Sequence, residues 1–442
     1  MHFDCLVIGS GPAGLYAALS CAKKGYSTVI VENRSWGGTG FSNGCLPVKK
    51  ILDRIKVFRK YNSIFHHQQF GEFPESGRIL FNDRTYGRRI EVKVKERLQE
   101  AGVETLYGNG FFVSERVFNI EGKIIQADRI LIATGTSPSS PEGIPLDGDR
   151  IISHREAVVL DKLPEEMIII GGNVEGIEFA TLFSSLGVKV VVVEQEWEIL
   201  SGNDRDLVLP LLTDLENHGV VLKTGVKIVS SEVNRDMVEL KTEEGEAFVT
   251  EKVLVTGVRA PNFPRGLDRA GVHYLRWGIP VNKKLETNVS GIFALGDING
   301  LHGMAHIAIQ QGVFITEGFD GKTVPQDYSA LPRAVFSLPE IAGAGKQEWE
   351  LLEAGMEYRT VSFDLKDSWR GFSRDIDSGF IKLIFDMNEQ LSGIWMTGEN
   401  ASTVMSASGL LLKKRISKRE ILENLFIHPT LGEGILEGAF LL

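Results

Sequence analysis

The amino-terminal segment alternates short apolar runs with small-residue and polar stretches. Phe3–Ile8 is an apolar run that predicts a buried strand, and the small and apolar residues of Ala13–Lys24 predict a helix. Thr28–Glu32 is a second apolar run of strand length. The chain therefore opens with a predicted strand–helix–strand unit.

The same pattern returns once, about one domain further along the chain. Met167–Ile170 predicts a strand, Gly176–Leu186 a helix and Lys189–Glu194 another strand. Two such units at this separation indicate two nucleotide-binding domains and not an array of short repeats.

The pattern changes from Leu331 onward, where strands such as Gly379–Phe385 alternate with amphipathic helices at Gln347–Ala354 and Lys418–Leu425. Thr136–Asp149 is rich in Ser, Pro and Gly, which predicts a linker. The predicted fold class is α/β, with two Rossmann-like domains followed by an α+β domain.

Composition narrows the classes of partner and the cellular compartment. The chain has 442 residues and a net charge of -10, which argues against nucleic acid or an anionic membrane as a main partner. We expect no signal peptide and no membrane insertion, because no basic leader precedes the first strand and Gly, Pro or charge interrupts each apolar run. Three cysteines, Cys5, Cys21 and Cys45, cannot form a disulfide framework, so we expect a cytoplasmic protein.

The first strand and helix are joined by the run Gly9-Ser10-Gly11-Pro12-Ala13-Gly14, which has the spacing G-x-G-x-x-G. Such glycines allow a tight turn and let a pyrophosphate approach the backbone at the helix N-terminus. Glu32 closes the second strand 18 residues after Gly14, where an acid would bind a ribose hydroxyl. These features together predict a dinucleotide site.

The corresponding run in the second unit is Gly171-Gly172-Asn173-Val174-Glu175-Gly176, and Glu194 follows 18 residues later. Asn173 replaces a glycine, although Asn tolerates a positive φ better than most residues. Glu175 adds negative charge near the expected pyrophosphate, and no Lys or Arg follows Glu194 until Arg205. The site therefore favours NADH over NADPH, or belongs to a structural domain that has lost its nucleotide.

Later motifs carry a family resemblance that extends over the whole chain. They are Ile132-Ala133-Thr134-Gly135, Thr287–Asp297 (TNVSGIFALGD), Met304-Ala305-His306, Pro332–Ala342 (PRAVFSLPEIA) and the carboxyl-terminal Phe426–Glu433 (FIHPTLGE). With these motifs the chain resembles the dihydrolipoamide dehydrogenase and glutathione reductase group of pyridine nucleotide-disulfide oxidoreductases.

The resemblance implies two cofactors, three domains and a homodimer. FAD is expected at Gly9, Gly11, Pro12, Ala13, Gly14, Glu32, Gly38, Thr39, Lys49, Ala133, Thr134, Gly135, Gly296, Asp297, Met304, Ala305 and His306. NAD(H), with NADP(H) less favoured, is expected at Gly171, Gly172, Gly176 and Glu194. The implied domains are 1–149 with 272–330 for FAD, 150–271 for NAD(P) and 331–442 for dimerisation.

The chain departs from the family where the chemistry takes place. The family pattern G-G-T-C-x4-C-x-P-x-K is here Gly37–Lys49, GGTGFSNGCLPVK, so that Gly40 replaces the cysteine that attacks the disulfide substrate. Cys45 and Lys49 remain. Without a second thiol beside Cys45, no intrachain disulfide can form there. A smaller departure is Val258, which replaces a glycine of the family.

The resemblance also supplies the candidate catalytic residues. Cys45 would lie against the flavin, either as a reactive thiol or as a small packing residue. Lys49 and Glu178 resemble the ion pair near flavin and nicotinamide, while His428, oriented by Glu433, would act as a base at the flavin site of the partner subunit. No metal is expected, because His66-His67, His302 and His306 lack ligand spacing.

These residues favour an FAD-dependent NAD(P)H oxidoreductase that reduces a non-disulfide small molecule, such as a quinone, another small oxidant or a second nicotinamide. One alternative is a single-cysteine disulfide reductase that uses Cys45, because Phe41–Pro47 is loosely similar to the S-F-x-x-C-x-L-P of coenzyme A disulfide reductases. Another is a catalytically idle FAD-binding sensor.

Overall fold

The computed structural model describes residues 1–64, 84–322 and 327–442. The strands are β1 His2–Ile8, β2 Thr28–Glu32, β3 Glu104–Tyr107, β4 Gly110–Ser114, β5 Val117–Ile120, β6 Lys123–Ile132, β7 Thr136–Pro138, β8 Ile151–Ile152, β9 Glu166–Ile170, β10 Lys189–Glu194, β11 Val221–Thr224, β12 Ile228–Asn234, β13 Met237–Thr242, β14 Ala247–Thr250, β15 Lys252–Val255, β16 Arg259–Pro261, β17 Ile292–Ala294, β18 Arg333–Val335, β19 Glu340–Gly345, β20 Arg359–Asp364, β21 Phe380–Phe385 and β22 Leu391–Gly398.

The α-helices are α1 Pro12–Lys23, α2 Cys45–Ile64, α3 Arg84–Glu100, α4 His154–Ala157, α5 Val174–Ser185, α6 Arg205–Asn217, α7 Ala305–Phe319, α8 Glu348–Glu353, α9 Trp369–Phe372, α10 Ala401–Val404, α11 Ser408–Lys413, α12 Lys418–Glu423 and α13 Glu433–Leu441. Within the described ranges, no helix is both long enough and apolar enough to cross a membrane.

The described residues divide into two compact units, one formed by 1–51, 84–162 and 258–322, the other by 52–64, 163–257 and 327–442. In the first unit, strands lie in the order β3-β2-β1-β6-β5-β4, and β17 also pairs with β6. The β3-β2-β1-β6 part and the β6–β17 pair are parallel. This is the Rossmann-like arrangement that the first strand–helix–strand pattern predicts.

Helices α1 and α7 pack closely in the first unit because small residues face each other. A Cβ on Gly312 would lie 2.6 Å from the carbonyl oxygen of Ala13, and Ala17 and Ala18 are completely buried. Cys5 and Cys21 are buried in the same core. A hydrogen bond with Cys5 and burial both raise the pKa of Cys21, so this thiol stays protonated and unreactive.

In the second unit, parallel strands follow the order β11-β10-β9-β15, and an antiparallel sheet has the order β18-β19-β22-β21-β20. The fold class is therefore confirmed: mixed α/β with parallel, Rossmann-like sheets and a carboxyl-terminal antiparallel domain. Predicted elements agree with observed ones within two residues at each end.

One prediction about the first unit is partly wrong. The stretch Thr136–Asp149 is not entirely a linker, because its first residues form β7, which pairs antiparallel with β16. Ser, Pro and Gly also occur in short edge strands, where Pro occupies a position that makes no ladder hydrogen bond.

A buried lysine joins the parallel and antiparallel parts of the second unit. Lys382 of β21 is 1% exposed and forms ion pairs with Asp204 (3.2 Å), Asp206 (2.5 Å) and Glu348 (2.7 Å). Burial opposes the charge, but the hydrogen bonds that Lys382 donates to Asp206 and Glu348, together with the negative charge of Asp204, raise the pKa of Lys382 overall. Asp204 is thereby fixed at the start of α6, next to the loop 199–203.

Candidate functional site

The turn between β1 and α1 requires its glycines. Gly9 has a φ of +100°, and a Cβ there would lie 2.5 Å from the carbonyl oxygen of Ala133. A Cβ on Gly14 would overlap the carbonyl oxygen of Gly9. Gly11 is the N-cap of α1, and no described side chain caps this helix, so its first N–H groups point away from the helix without a protein acceptor.

Glu32 holds this turn in place. Its Oε2 accepts hydrogen bonds from the backbone N–H of Ser10 (2.9 Å) and from the Ser10 hydroxyl (2.7 Å), while Oε1 accepts from the N–H of Asn33 (2.8 Å) and of Arg34 (2.9 Å). The carboxylate therefore lies at the edge of the turn, where the motif predicts the ribose-binding acid.

The end of β6 and the 296–297 segment surround the same turn. A Cβ on Gly296, which has a φ of +70°, would lie 3.1 Å from the Cβ of Ala13. Asp297 accepts a hydrogen bond from the Thr136 hydroxyl (3.2 Å), and burial raises the pKa of its carboxyl group. The Thr134 hydroxyl is buried and has no hydrogen-bond partner among the described residues.

These features test whether a dinucleotide fits this site. An uncapped helix N-terminus suits a pyrophosphate, and a buried hydroxyl without a protein partner suits a polar ligand atom. The predicted residues around this turn, from Gly9 to Gly14, with Glu32, Ala133, Thr134, Gly135, Gly296 and Asp297, thus form one neighbourhood that fits a dinucleotide such as FAD. Their roles toward it stay predictions.

The segment that lacks the first cysteine passes directly against the turn. A Cβ on Gly38 would lie 2.9 Å from the Cα of Gly11. Residues Thr39–Asn43 form a π-helical turn, and a Cβ on Gly40 would lie 2.5 Å from Cγ and 3.2 Å from Cδ of Pro12. The space that a cysteine side chain would need at position 40 is therefore occupied by the Pro12 ring.

Other predicted residues lie beside this segment. The hypothetical Cβ of Gly40 is also 3.6 Å from the Cβ of Ala305, the first residue of α7; Met304 is the N-cap of this helix and His306 lies in its first turn. Cys45 is exposed at the first position of α2, and Lys49 lies one turn further along. The structure thus places Gly38, Gly40 and Ala305 against the first turn, whereas the roles of Cys45, Lys49 and His306 stay predictions.

Three arginines lie close together near this site, and the sequence did not predict this cluster. Arg34 and Arg155 both donate to the Ser137 hydroxyl, at 2.8 and 3.3 Å, and Arg259 donates to the Thr136 hydroxyl at 2.7 Å. Burial and the charges of Arg34 and Arg259 lower the pKa of Arg155. Their positions in the chain are far apart, so no local pattern indicates that they converge.

The second turn repeats the geometry of the first with one change. Gly171 has a φ of +108°, and a Cβ on Gly176 would overlap the carbonyl oxygen of Gly171. Glu194 accepts from the N–H of Gly172 at 2.5 Å, just as Glu32 accepts from Ser10. Asn173, however, has a φ of −75°, so its tolerance of a positive φ, which the sequence analysis considered, plays no part.

A pocket opens beside the second turn within the same compact unit. It is lined by Gly172, Asn173, Val174, Glu194, Glu198, Leu200, Ser201, Asn203, Arg333, Ala334, Val335, Ile341 and Trp395. The guanidinium carbon of Arg333 lies 4.9 Å from the centroid of the Trp395 ring, a cation–π arrangement. Arg333 thus brings a positive charge to a pocket whose other lining charges are Glu194 and Glu198.

Glu178, His428 and Glu433 also lie in the second unit. Glu178 is 5% exposed, and its Oε1 accepts a hydrogen bond from the backbone N–H of Phe336 (3.1 Å). The expected pairing of Glu178 with Lys49 stays a prediction.

His428 Nδ1 lies 2.8 Å from Glu433 Oε1, and Glu433 Oε2 accepts from the N–H of Thr430 at 2.6 Å. Although desolvation raises the pKa of Glu433, the hydrogen bonds from Thr430 and His428 lower it overall. An ionised Glu433 fixes the Nδ1–H tautomer of His428 and leaves Nε2 as a proton acceptor. The side chain of His428 is 63% exposed.

The described residues contain no group of three or more His, Cys, Asp or Glu side chains that could hold a metal ion. His66-His67 lies outside the described residues.

Two dinucleotide-type turns on parallel sheets, followed by an antiparallel domain, define the architecture of a pyridine nucleotide oxidoreductase. The family model described as pyridine nucleotide-disulphide oxidoreductase matches residues 3–312, and the dimerisation domain of that family matches residues 331–439. The protein belongs to the pyridine nucleotide-disulphide oxidoreductase family.

Its relatives agree with this assignment over the full length. Dihydrolipoyl dehydrogenase of Chlamydia muridarum is 31% identical, with 99% of this chain and 96% of that protein covered, and leghemoglobin reductase of Glycine max is 30% identical over 99% and 87%. The structure of LpdA from Mycobacterium tuberculosis has a TM-score of 0.90 at 25% identity and covers 99% of both chains.

Proposed function

We propose that this protein is an FAD-dependent oxidoreductase that takes electrons from NAD(P)H, with NADH preferred, and passes them to a small-molecule acceptor other than a disulfide. The family typically binds FAD and NAD(P)H. The observation that carries the proposal is Gly40, because the position of the attacking thiol holds no side chain and the Pro12 ring fills its space. Disulfide reduction through a dithiol relay needs two thiols, and this segment has only Cys45.

The residues of the first turn would hold FAD. The N–H groups at the start of α1 would bind its pyrophosphate, Glu32 its ribose, and Thr134 and Asp297 its remaining polar groups. When bound, the flavin supplies the two-electron chemistry that joins a hydride donor to an acceptor.

The protein's own charged residues would support that chemistry by position and by proton transfer. Lys49, as a fixed cation, would stabilise negative charge beside the cofactor, and Glu178 would orient the nicotinamide. Nε2 of His428 would accept or return a proton, because Glu433 holds the ring in one tautomer. In a homodimer formed through residues 331–442, His428 would serve the site of the partner subunit; the matching dimerisation domain supports this assembly.

A second candidate rests on Cys45, a free cysteine that is exposed at the first position of α2. In that case the protein would reduce lipoamide or coenzyme A disulfide through a single cysteine. A third candidate, an idle FAD-binding sensor, is favoured by Asn173, which occupies the helix terminus of the second turn.

Anaerobic titration of the purified yellow protein with NADH, followed by an acceptor screen, tests the proposal. We expect NADH to bleach the flavin absorbance and quinones or other small oxidants to restore it, while lipoamide and glutathione disulfide restore it poorly. Robust lipoamide reduction would contradict the proposal and favour the cysteine mechanism. A flavin that neither NADH nor NADPH reduces would favour the idle sensor.

A further inference from the structure

The two dinucleotide turns of this chain share their first and last glycines, and they differ in whether a side chain caps the following helix. In the first turn, the N-cap residue is Gly11, and no described side chain caps α1. In the second turn, it is Asn173, whose side chain caps α5. The positive φ of the first glycine and the carboxylate contact to the turn are alike in both, so the cap is the difference that affects the N–H groups of the helix N-terminus.

Asn173 occupies the hydrogen-bonding positions that a pyrophosphate would use. Its Oδ1 accepts hydrogen bonds from the N–H of Glu175 (3.0 Å) and of Gly176 (3.2 Å). In G-x-G-x-x-G turns, these N–H groups at the helix N-terminus face the phosphates of the nucleotide. The amide oxygen of Asn173 therefore satisfies the donors on which nucleotide affinity depends.

The side chain of Asn173 is held in this position from the other side. Its Nδ2 donates to the Thr256 hydroxyl at 3.1 Å, and a Cβ on the adjacent Gly257 would lie 2.4 Å from Nδ2. The Glu175 carboxylate accepts from the N–H of Gly257 at 3.2 Å, so this negative charge is also drawn toward the 256–257 turn.

We infer that Asn173 competes internally with the pyridine nucleotide. To bind, the nucleotide must displace the Asn173 amide from the N-terminus of α5. This inference rests on the proposed function, since it concerns the affinity of the second turn for the pyrophosphate of NAD(H). Val174 beside it lines the same pocket as Arg333 and Glu194, so the competition takes place at the pocket itself. The residue thereby sets a weak nucleotide affinity in a turn that is otherwise complete.

The inference predicts a gain of affinity when the cap is removed. Asn173→Gly should lower the dissociation constant for NAD⁺ by about twofold, which is the size expected when glycine replaces an N-cap asparagine. Asn173→Asp keeps the cap and adds a negative charge facing the phosphates, so it should raise the dissociation constant at least as much.

The measurement is calorimetric titration of the FAD-loaded protein with NAD⁺, which binds without reducing the flavin. Ser417→Gly is the matched control, because Ser417 caps α12 with the same kind of hydrogen bond, to the N–H of Glu420 at 3.2 Å, and is not among the residues that line the pocket. It should leave the dissociation constant unchanged. Thermal unfolding of each variant shows whether it is folded.

An Asn173→Gly protein that is folded and binds NAD⁺ no more tightly, or more weakly, than the unaltered protein would overturn the inference. Flavin reduction by NADH in the unaltered protein tests the proposed function separately. If that reduction fails while Asn173→Gly gains NAD⁺ affinity, the inference stands and the proposed activity does not.

Discussion

A side chain at position 40 should destabilise this protein, although the pattern G-G-T-C-x4-C-x-P-x-K that the chain resembles has a cysteine there. In Gly40→Ala, the added Cβ would lie 2.5 Å from Cγ and 3.2 Å from Cδ of Pro12. Ordinary van der Waals contact begins near 3.4 Å, and neither Pro12 nor the backbone of the π-helical turn is the flexible end of a side chain.

Overpacking of this kind costs about 1–3 kcal/mol. Replacing a glycine by alanine also restricts the unfolded chain, which stabilises the folded state by about 0.4–1 kcal/mol where the backbone conformation permits it. The steric term is the larger, so we expect the free energy of unfolding of Gly40→Ala to fall by roughly 1–2 kcal/mol.

Chemical denaturation of the FAD-loaded protein measures this change. Gly303→Ala is the matched control: a Cβ there would meet no described atom within 4 Å, so this variant should be neutral or slightly more stable. If Gly40→Ala were as stable as Gly303→Ala, position 40 would have room for a side chain and the steric reasoning would be wrong. Gly40→Cys carries the same Cβ, so we expect it to lose similar stability and to gain little lipoamide reduction.

Three further predictions concern the remaining site residues. Cys45→Ser should retain NADH-dependent reduction of the acceptor within a modest factor, measured by steady-state kinetics; complete loss of turnover with flavin reduction intact would establish the single-cysteine mechanism. Arg333→Leu should weaken NAD⁺ binding roughly tenfold in calorimetry, because it removes the positive charge from an acidic pocket, whereas Arg419→Leu, whose native side chain is 85% exposed, should have no effect. Glu433 has a pKa below its ordinary value of 4.5 in the folded state, so its contribution to stability is present above pH 4.5 and is lost as the pH falls through the folded pKa. The stability difference between the unaltered protein and Glu433→Gln in denaturant titrations should therefore shrink below pH 4.5, and a difference that grows there would refute this assignment.

The sequence was sufficient to predict the position of those site residues that depend on local backbone geometry. Gly9, Gly14, Gly171 and Gly176 lie where their spacing predicts, because a tight turn before a helix leaves no space for a Cβ. Glu32 and Glu194 contact the turns because each closes the neighbouring parallel strand, while their binding of a ribose stays a prediction.

Features that depend on distant segments could not be predicted in this way. Arg333 reaches the pocket beside the second turn from the carboxyl-terminal sheet, and no spacing relates it to Glu194. Asn173 could be recognised as a departure from the motif, but its action as a helix cap depends on Thr256 and Gly257 at the end of another strand. The crowding at Gly40 arises from Pro12, because the first turn places the Pro12 ring against position 40.

The ion cluster around Lys382 limits how this chain could be recombined with its relatives. Lys382 and its partner Glu348 come from the carboxyl-terminal part of the second unit, whereas its partners Asp204 and Asp206 come from the part that contains the second turn. A chimera whose replacement for the second-turn part lacked these two carboxylates would leave the buried Lys382 with Glu348 alone, and losing partners of a buried charge costs several kcal/mol. The two parts must therefore be exchanged as a single block unless the replacement keeps carboxylates at positions 204 and 206 or Lys382 is replaced by an apolar residue at the same time.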